Sequence, residues 1–267
     1  MGVSLPQDDE ILQNKNAVFN LMDLKVYDEY TFYHSVNVAV LSIIVATELG
    51  LSKEELIKLG ISGLLHDIGK VFVKKEILNK KGKLSESEFR EIKEHPVNGF
   101  NYLKKSCQIP LKSYVGVLQH HEKYDGTGYP YGLKGREISL FGRILTIADI
   151  YDALISDRPY RQGILPSEAM EYIMGGGGTY FDPEISTVFV KKLALYPVGT
   201  CVELSNGMIG IVCQNYEGYS IRPDIKVFQN KDRKIKPFIL KLQKQINITI
   251  TSVVKNDILA AMWKRKG

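Results

Sequence analysis

The hydrophobic periodicity of this 267-residue chain changes once, near Leu195, and that change limits it to two unlike parts. Upstream, apolar residues recur at helical spacing, as in Val36, Val40, Ile43 and Ile44 and again in Leu56, Leu59, Gly63 and Leu64. Short polar or Gly/Pro breaks separate the runs, so a helical bundle is predicted. Downstream of Tyr196-Pro197 the period falls to two: Val202 and Leu204, an Asn206-Gly207 turn, Ile209 and Ile211, then Ile246, Ile248 and Ile250. That alternation predicts a small β sheet or barrel, with a short basic helix expected from Asp257. The expected fold class is mainly α, a helical bundle over residues 1–194 followed by a small basic β-rich accessory domain over 195–267.

Composition removes several classes. Hydrophobic residues make up 44% and charged residues 24%, which excludes a mostly disordered chain. The longest apolar stretch, Val36 to Thr47, is interrupted by Asn37 and Ser42 and falls short of the roughly 20 residues a spanning helix needs, so no membrane span is expected. The opening MGVSLPQDDE has no basic region followed by an apolar one, so no signal peptide is expected. Cys107, Cys201 and Cys213 are odd in number and form no C-x-x-C pair, which argues against a disulfide framework or zinc ribbon and makes a cytoplasmic location the simplest. The net charge of +5 is unevenly spread: residues 195–267 hold 12 Lys+Arg against 5 Asp+Glu. A basic excess of this size suits an anionic partner, nucleic acid included, although a solvated lysine-rich surface is the commoner cause.

Gly175-Gly176-Gly177-Gly178 invites a phosphate-loop reading but lacks the Gly-Lys-Ser/Thr ending and a preceding strand. It reads instead as an inter-helix loop, and Asp182-Pro183 behind it as a helix start with Asp182 as the cap.

All five histidines, His34, His66, His95, His120 and His121, fall between residues 34 and 121. Adjacent His66-Asp67 and His120-His121, on helices or at helix ends, point in divergent directions, so one member of each pair can serve each of two metals. Asp67 is the natural bridge, since one carboxylate can offer an oxygen to each ion, and imidazole with carboxylate suits iron, manganese or zinc better than calcium. Lys70, one turn beyond His66, makes sense opposite an anionic substrate, which points to phosphate. Further on, the apolar segment from Ile147 to Leu154 carries Asp149 and Asp152 one turn apart. They read as a surface acid and a cap or, since the flanking apolar residues point to burial, as carboxylates that need a cation partner. Arg158 and Arg161 follow, with the planar donor fork suited to phosphate and to guanine edges, or to structural ion pairs.

Taken in order, these motifs resemble the HD-GYP domain, a branch of the HD metal-dependent phosphohydrolases that hydrolyses the bacterial second messenger cyclic di-GMP. The resemblance is carried by Asp28-Glu29-Tyr30-Thr31 with His34-Ser35, by His66-Asp67-Ile68-Gly69-Lys70 and by His95-Pro96. It continues through His120-His121-Glu122, Asp125-Gly126-Thr127-Gly128-Tyr129-Pro130 and the run from Asp149 to Arg161. It implies an HD-type bundle with two divalent ions, iron or manganese foremost. His34, His66, Asp67 and Asp149 would hold one ion, and Asp67, His95, His120 and His121 the other. Lys70 would sit by the scissile phosphate, and Asp152 behind the ligands as a supporting or proton-handling group. Asp28, Tyr129, Arg158 and Arg161 would contact the nucleotide.

The activity implied is hydrolysis of cyclic di-GMP to linear pGpG, which a second cut could convert to GMP. The alternatives are a phosphodiesterase for a mixed cyclic dinucleotide and a non-catalytic cyclic-dinucleotide sensor or docking scaffold. The Gly128-Tyr129-Pro130 loop is implicated in docking diguanylate cyclase domains, and a second copy of the chain is a candidate partner. One position departs from some relatives: Tyr30 stands where they carry a glutamate that supports a third metal, so a binuclear site and mostly pGpG as product are expected.

Overall fold

The computed structural model describes residues 29–80, 82–106, 109–157, 162–193, 195–216, 221–231 and 233–254. Among them the helices are α1 (Glu29–Glu48), α2 (Lys53–Leu65), the single turn α3 (Lys75–Leu78), α4 (Glu86–Lys93), α5 (His95–Ser106), α6 (Leu111–Gln119), α7 (Leu140–Ile155), α8 (Pro166–Gly175) and α9 (Pro183–Lys192). A 3-10 turn over Ile68–Phe72 follows α2. The strands are β1 (Cys201–Leu204), β2 (Met208–Gln214), β3 (Asp224–Asn230), β4 (Arg233–Lys241) and β5 (Ile250–Val253). The chain forms two compact units, one running to Gly163 and resuming over Ile173–Val188, the other taking Ile164–Tyr172 and continuing from Phe189. The structure is mainly α with an antiparallel C-terminal sheet, as the change of period predicts.

In the helical unit α1 packs on α2 and α7, α2 packs on α6, and α5 packs on both the 3-10 turn and α6. Leu65, Ile68, Leu103, Ile109, Tyr114 and Val117 form a buried cluster beneath these crossings. The helix starts follow local rules. Ser52 and Ser85 each accept from the backbone N–H three residues on, with Glu55 and Glu88 returning the bond. Asp182 caps α9 as expected, its Oδ1 accepting from Glu184 N at 2.9 Å, while its other oxygen holds Arg143 Nη1 at 2.5 Å. α1 is apolar on more than one face. Val38, Ala39, Val45 and Ala46 are buried, whereas Val40 and Ile44 stay 51% and 41% exposed.

Close backbone approach decides how near the helices come. A Cβ on Gly63 would lie 2.6 Å from Ala39 Cα, so the α1–α2 contact requires glycine there. A Cβ on Gly69 would lie 1.9 Å from the carbonyl oxygen of His95, so the 3-10 turn rests directly on the start of α5.

The C-terminal sheet has strand order β4-β3-β2-β1-β5. Two features differ from the alternating pattern read in the sequence. In β2 the buried positions are Gly210 and Val212, so Ile211 faces outward; a Cβ on Gly210 would meet Ile225 Cγ2 at 2.5 Å. Ile246 and Ile248 are not in a strand, and Ile246 is 82% exposed. The Arg222 guanidinium holds that segment in an irregular turn by donating to the carbonyls of Gln245, Ile246 and Ile248 at 2.8–3.1 Å. The helix expected from Asp257 lies outside the described residues.

Replacing Gly69 by Ala is expected to cost about 3 kcal/mol or more, because backbone on both sides must move to admit the methyl group. Gly175→Ala, where nothing lies within 4 Å of the added atom, should change the urea midpoint little. Equal midpoints for the two variants would refute the close-approach account.

Candidate metal centre

The residues that meet in the helical unit come from helix ends and from the facing flanks of α1 and α7. His66 is the C-cap of α2 and His120 the C-cap of α6, while His95 opens α5 directly after α4. Each uses one device. Nδ1 of His66 bonds the carbonyl oxygen of Gly63 at 2.8 Å, His95 that of Ile92 at 2.8 Å and His120 that of Val117 at 2.6 Å. The last carbonyls of a helix lack intrahelical partners, and a carbonyl can only accept. The hydrogen is therefore on Nδ1, and Nε2 of each ring presents a lone pair inward.

Those lone pairs have no ordinary reason to meet. His95 Nε2 and His120 Nε2 are 3.2 Å apart, acceptor facing acceptor. His66 Nε2 lies 3.4 Å from Asp67 Oδ2, a second acceptor-to-acceptor approach. His66 Nε2 and Asp67 Oδ1 are buried with no hydrogen-bond partner among the described residues. Such groups are costly unless a cation lies between them. The donors form two sets, Asp67 with His95, His120 and His121, and His34 with His66 and Asp149, each with atoms within 4.8 Å of one another. Asp67 faces both: Oδ1 is 3.3 Å from His95 Nε2, and Oδ2 is 4.0 Å from His34 Nε2. Chemistry and orphaned atoms alike fit divalent cations with imidazole and carboxylate ligands.

The charges follow from these neighbours. Burial would raise the Asp67 carboxyl, but the Lys70 ammonium outweighs it and holds it well below the usual carboxylate range. Burial pushes His120 and His121 down, so both rings are neutral. His34 behaves oppositely. Burial pulls it down, yet hydrogen bonds with Asp149 and Asp152 prevail and raise it to about 9.

Lys70, predicted opposite a phosphate, bonds Asp67 Oδ2 at 2.5 Å. Asp152 lies behind His34: its Oδ2 is 2.7 Å from His34 Nδ1, and its Oδ1 accepts from Asn37 Nδ2 at 2.9 Å. Nε2 on the other side of the His34 ring lies 3.0 Å from Asp149 Oδ1. Tyr129 stacks on His121 with ring centroids 4.7 Å apart at 30°. Asp28, Arg158 and Arg161 lie outside the described residues.

Two supporting residues escaped the sequence reading. Asn37 sits one turn beyond His34 on the same face, and that spacing was a usable signal. Glu122, inside the quoted His-His-Glu motif, is buried and accepts from Tyr131 N at 2.8 Å and Leu133 N at 3.1 Å, shaping the loop that carries Tyr129.

A model of the HD domain matches residues 10–185, two thirds of the chain. The chain belongs to the HD domain family. Among curated relatives it is 41% identical over 225 residues to a cyclic di-GMP phosphodiesterase of Pseudomonas aeruginosa, covering 84% of this chain and 54% of that one. It is also 41% identical over 195 residues to the 3'3'-cGAMP-specific phosphodiesterase 3 of Vibrio cholerae, covering 72% and 42%. The chain thus spans about half the length of these relatives. A solved HDG"Y"P protein from Bdellovibrio bacteriovorus shares the fold, with a TM-score of 0.50 and 23% identity over 59% of this chain and 50% of that one. No described helix is long and apolar enough to cross a membrane.

Asp152→Asn is expected to leave the fold intact and weaken divalent-ion binding about 10–100-fold, since the group that orients His34 loses its charge. Chelator competition with metal content measured on the same sample checks this. Unchanged affinity would remove Asp152 from the support of the site.

Proposed function

We propose that the chain carries the catalytic domain of a metal-dependent phosphodiesterase of the HD-GYP branch, hydrolysing cyclic di-GMP to linear pGpG in bacterial second-messenger signalling. The observation that carries this reading is the pair of opposed Nε2 atoms of His95 and His120 beside the buried Asp67 carboxylate, an arrangement that calls for cations. We assign the helical catalytic domain to residues 1–194 and the basic β-rich accessory domain to 195–267, in the cytoplasm.

His34, His66, Asp67 and Asp149 would hold one ion and Asp67, His95, His120 and His121 a second, iron or manganese by ligand chemistry. The chemistry such a pair supplies is Lewis acidity, which offsets charge on the phosphodiester and acidifies water. The chain's own residues do the rest. Asp67 keeps a negative charge between the two histidine sets, and Lys70 fixes that carboxylate while bringing positive charge to the attacked phosphate. Asp152 and Asn37 hold His34 in one tautomer. Tyr129, supported on His121, forms one wall of the substrate site, and Asp28, Arg158 and Arg161 supply contacts to phosphate and base. The loop through Gly128-Tyr129-Pro130 is the surface we assign to diguanylate cyclase domains. A second reading, a phosphodiesterase for the mixed adenine-guanine cyclic dinucleotide, has one specific support: the relative at 41% identity named for 3'3'-cGAMP.

The test is product analysis with both cyclic dinucleotides on metal-loaded protein. Cyclic di-GMP should be cleaved with pGpG as the main product, because Tyr30 cannot supply a carboxylate for a third cation near the terminal phosphate. Preferential turnover of the mixed dinucleotide would decide for the second reading. Asp67→Ala should lose both metals and at least 1000-fold in turnover, in line with removing a group shared by both sites; a variant that keeps two metals and near-normal rates would sink the bridging role.

A further inference from the structure

Lys93 is the last residue of α4, two positions before His95, and its ammonium lies between two aromatic rings. Nζ is 4.7 Å from the Phe89 ring centroid and 5.3 Å from that of Tyr129. The Tyr129 ring lies on His121, so this cation stands one ring away from the metal centre. Lys58, Lys70, Lys74, Lys80 and Lys112 of the helical unit are each paired with a carboxylate, whereas Lys104 and Lys123, like Lys93, lie over aromatic rings. Lys93 has no carboxylate partner among the described residues. α4 buries no residue fully, and Phe89 remains 47% exposed.

We propose that Lys93, held by Phe89 and Tyr129, is a substrate-binding residue that pairs with the phosphodiester of a cyclic dinucleotide that is not being cleaved. The proposal rests on the function argued above. A cyclic dinucleotide carries two phosphodiesters, and only one can lie at the metal centre during a cut. The second brings a full negative charge to the rim, where Lys70 is already engaged by Asp67. An ammonium placed over two ring faces is attracted by their quadrupoles, which restrict its motion without cancelling its charge. Less side-chain entropy is then lost when it meets an anion. The exposed ring of Phe89 adds an apolar surface on which a purine can stack.

The test compares wild type with Lys93→Met, Lys93→Arg and Lys104→Met, the last removing a lysine that lies 5.8 Å from the Phe100 ring centroid on α5. Steady-state kinetics are measured with cyclic di-GMP and with bis(p-nitrophenyl) phosphate, which has one phosphodiester, and metal content is followed throughout. Lys93→Met should raise KM for cyclic di-GMP about tenfold or more, with kcat within about twofold. Its metal content and its turnover of the small diester should match wild type. Lys93→Arg should recover most of the loss, Lys104→Met should change nothing, and the salt dependence of KM should flatten in Lys93→Met. An unchanged KM, or an equal loss with both diesters, would overturn the subsite and leave Lys93 a structural support for His95. Wild-type protein that cleaves the small diester but no cyclic dinucleotide would instead overturn the substrate assignment above, and the subsite with it.

Discussion

A buried carboxylate governs this molecule. Asp67 is 1% exposed and stays ionised, and taking such a charge out of water costs several kcal/mol unless opposite charge surrounds it. Lys70 provides one cation to Oδ2, while Oδ1 faces imidazoles whose lone pairs cannot donate to it. The helical unit therefore places its most expensive group where only a positive charge makes the arrangement economical.

Building such a site requires the helix ends to approach more closely than side chains usually allow. Gly69 lets the turn after His66-Asp67 rest on the His95 carbonyl, and Gly63 seats α2 against Ala39 of α1, the helix that carries His34. The histidines that directly follow α2, α4 and α6 then engage Nδ1 with carbonyls of the last helical turn, which fixes all three tautomers at once. Stability and function are coupled here, because the bonds that finish the helices also aim the ligand atoms. A substitution that frays one of these ends disturbs a histidine before it disturbs the core.

The C-terminal sheet shows how far pattern alone carries. β1 and β2 form where alternation and the Asn206-Gly207 turn place them, with Cys201 paired to Ile211 and Glu203 to Ile209. Ile246 and Ile248 obey the same alternation and yet lie outside the ladder, since Arg222 binds the carbonyls around them. A strand needs a partner for its backbone groups as well as alternating side chains, and here the carbonyls of this segment are bonded by a guanidinium distant in sequence.

The sequence by itself determined the switch from helical to strand periodicity, the cap at Asp182 and the set of histidines and aspartates, because spacing of three, four or two residues is a local property. It also ordered the motifs that lead to the HD domain family. Only the tertiary structure decided which atom of each residue faces which partner. That Lys70 closes on Asp67, that Asp152 and Asn37 stand behind His34, and that Lys93 is lodged between Phe89 and Tyr129 depend on helices that meet across long stretches of chain. The physical reason is that residue type sets what a group can bind, whereas the depth of burial and the direction of a lone pair are properties of the packed whole.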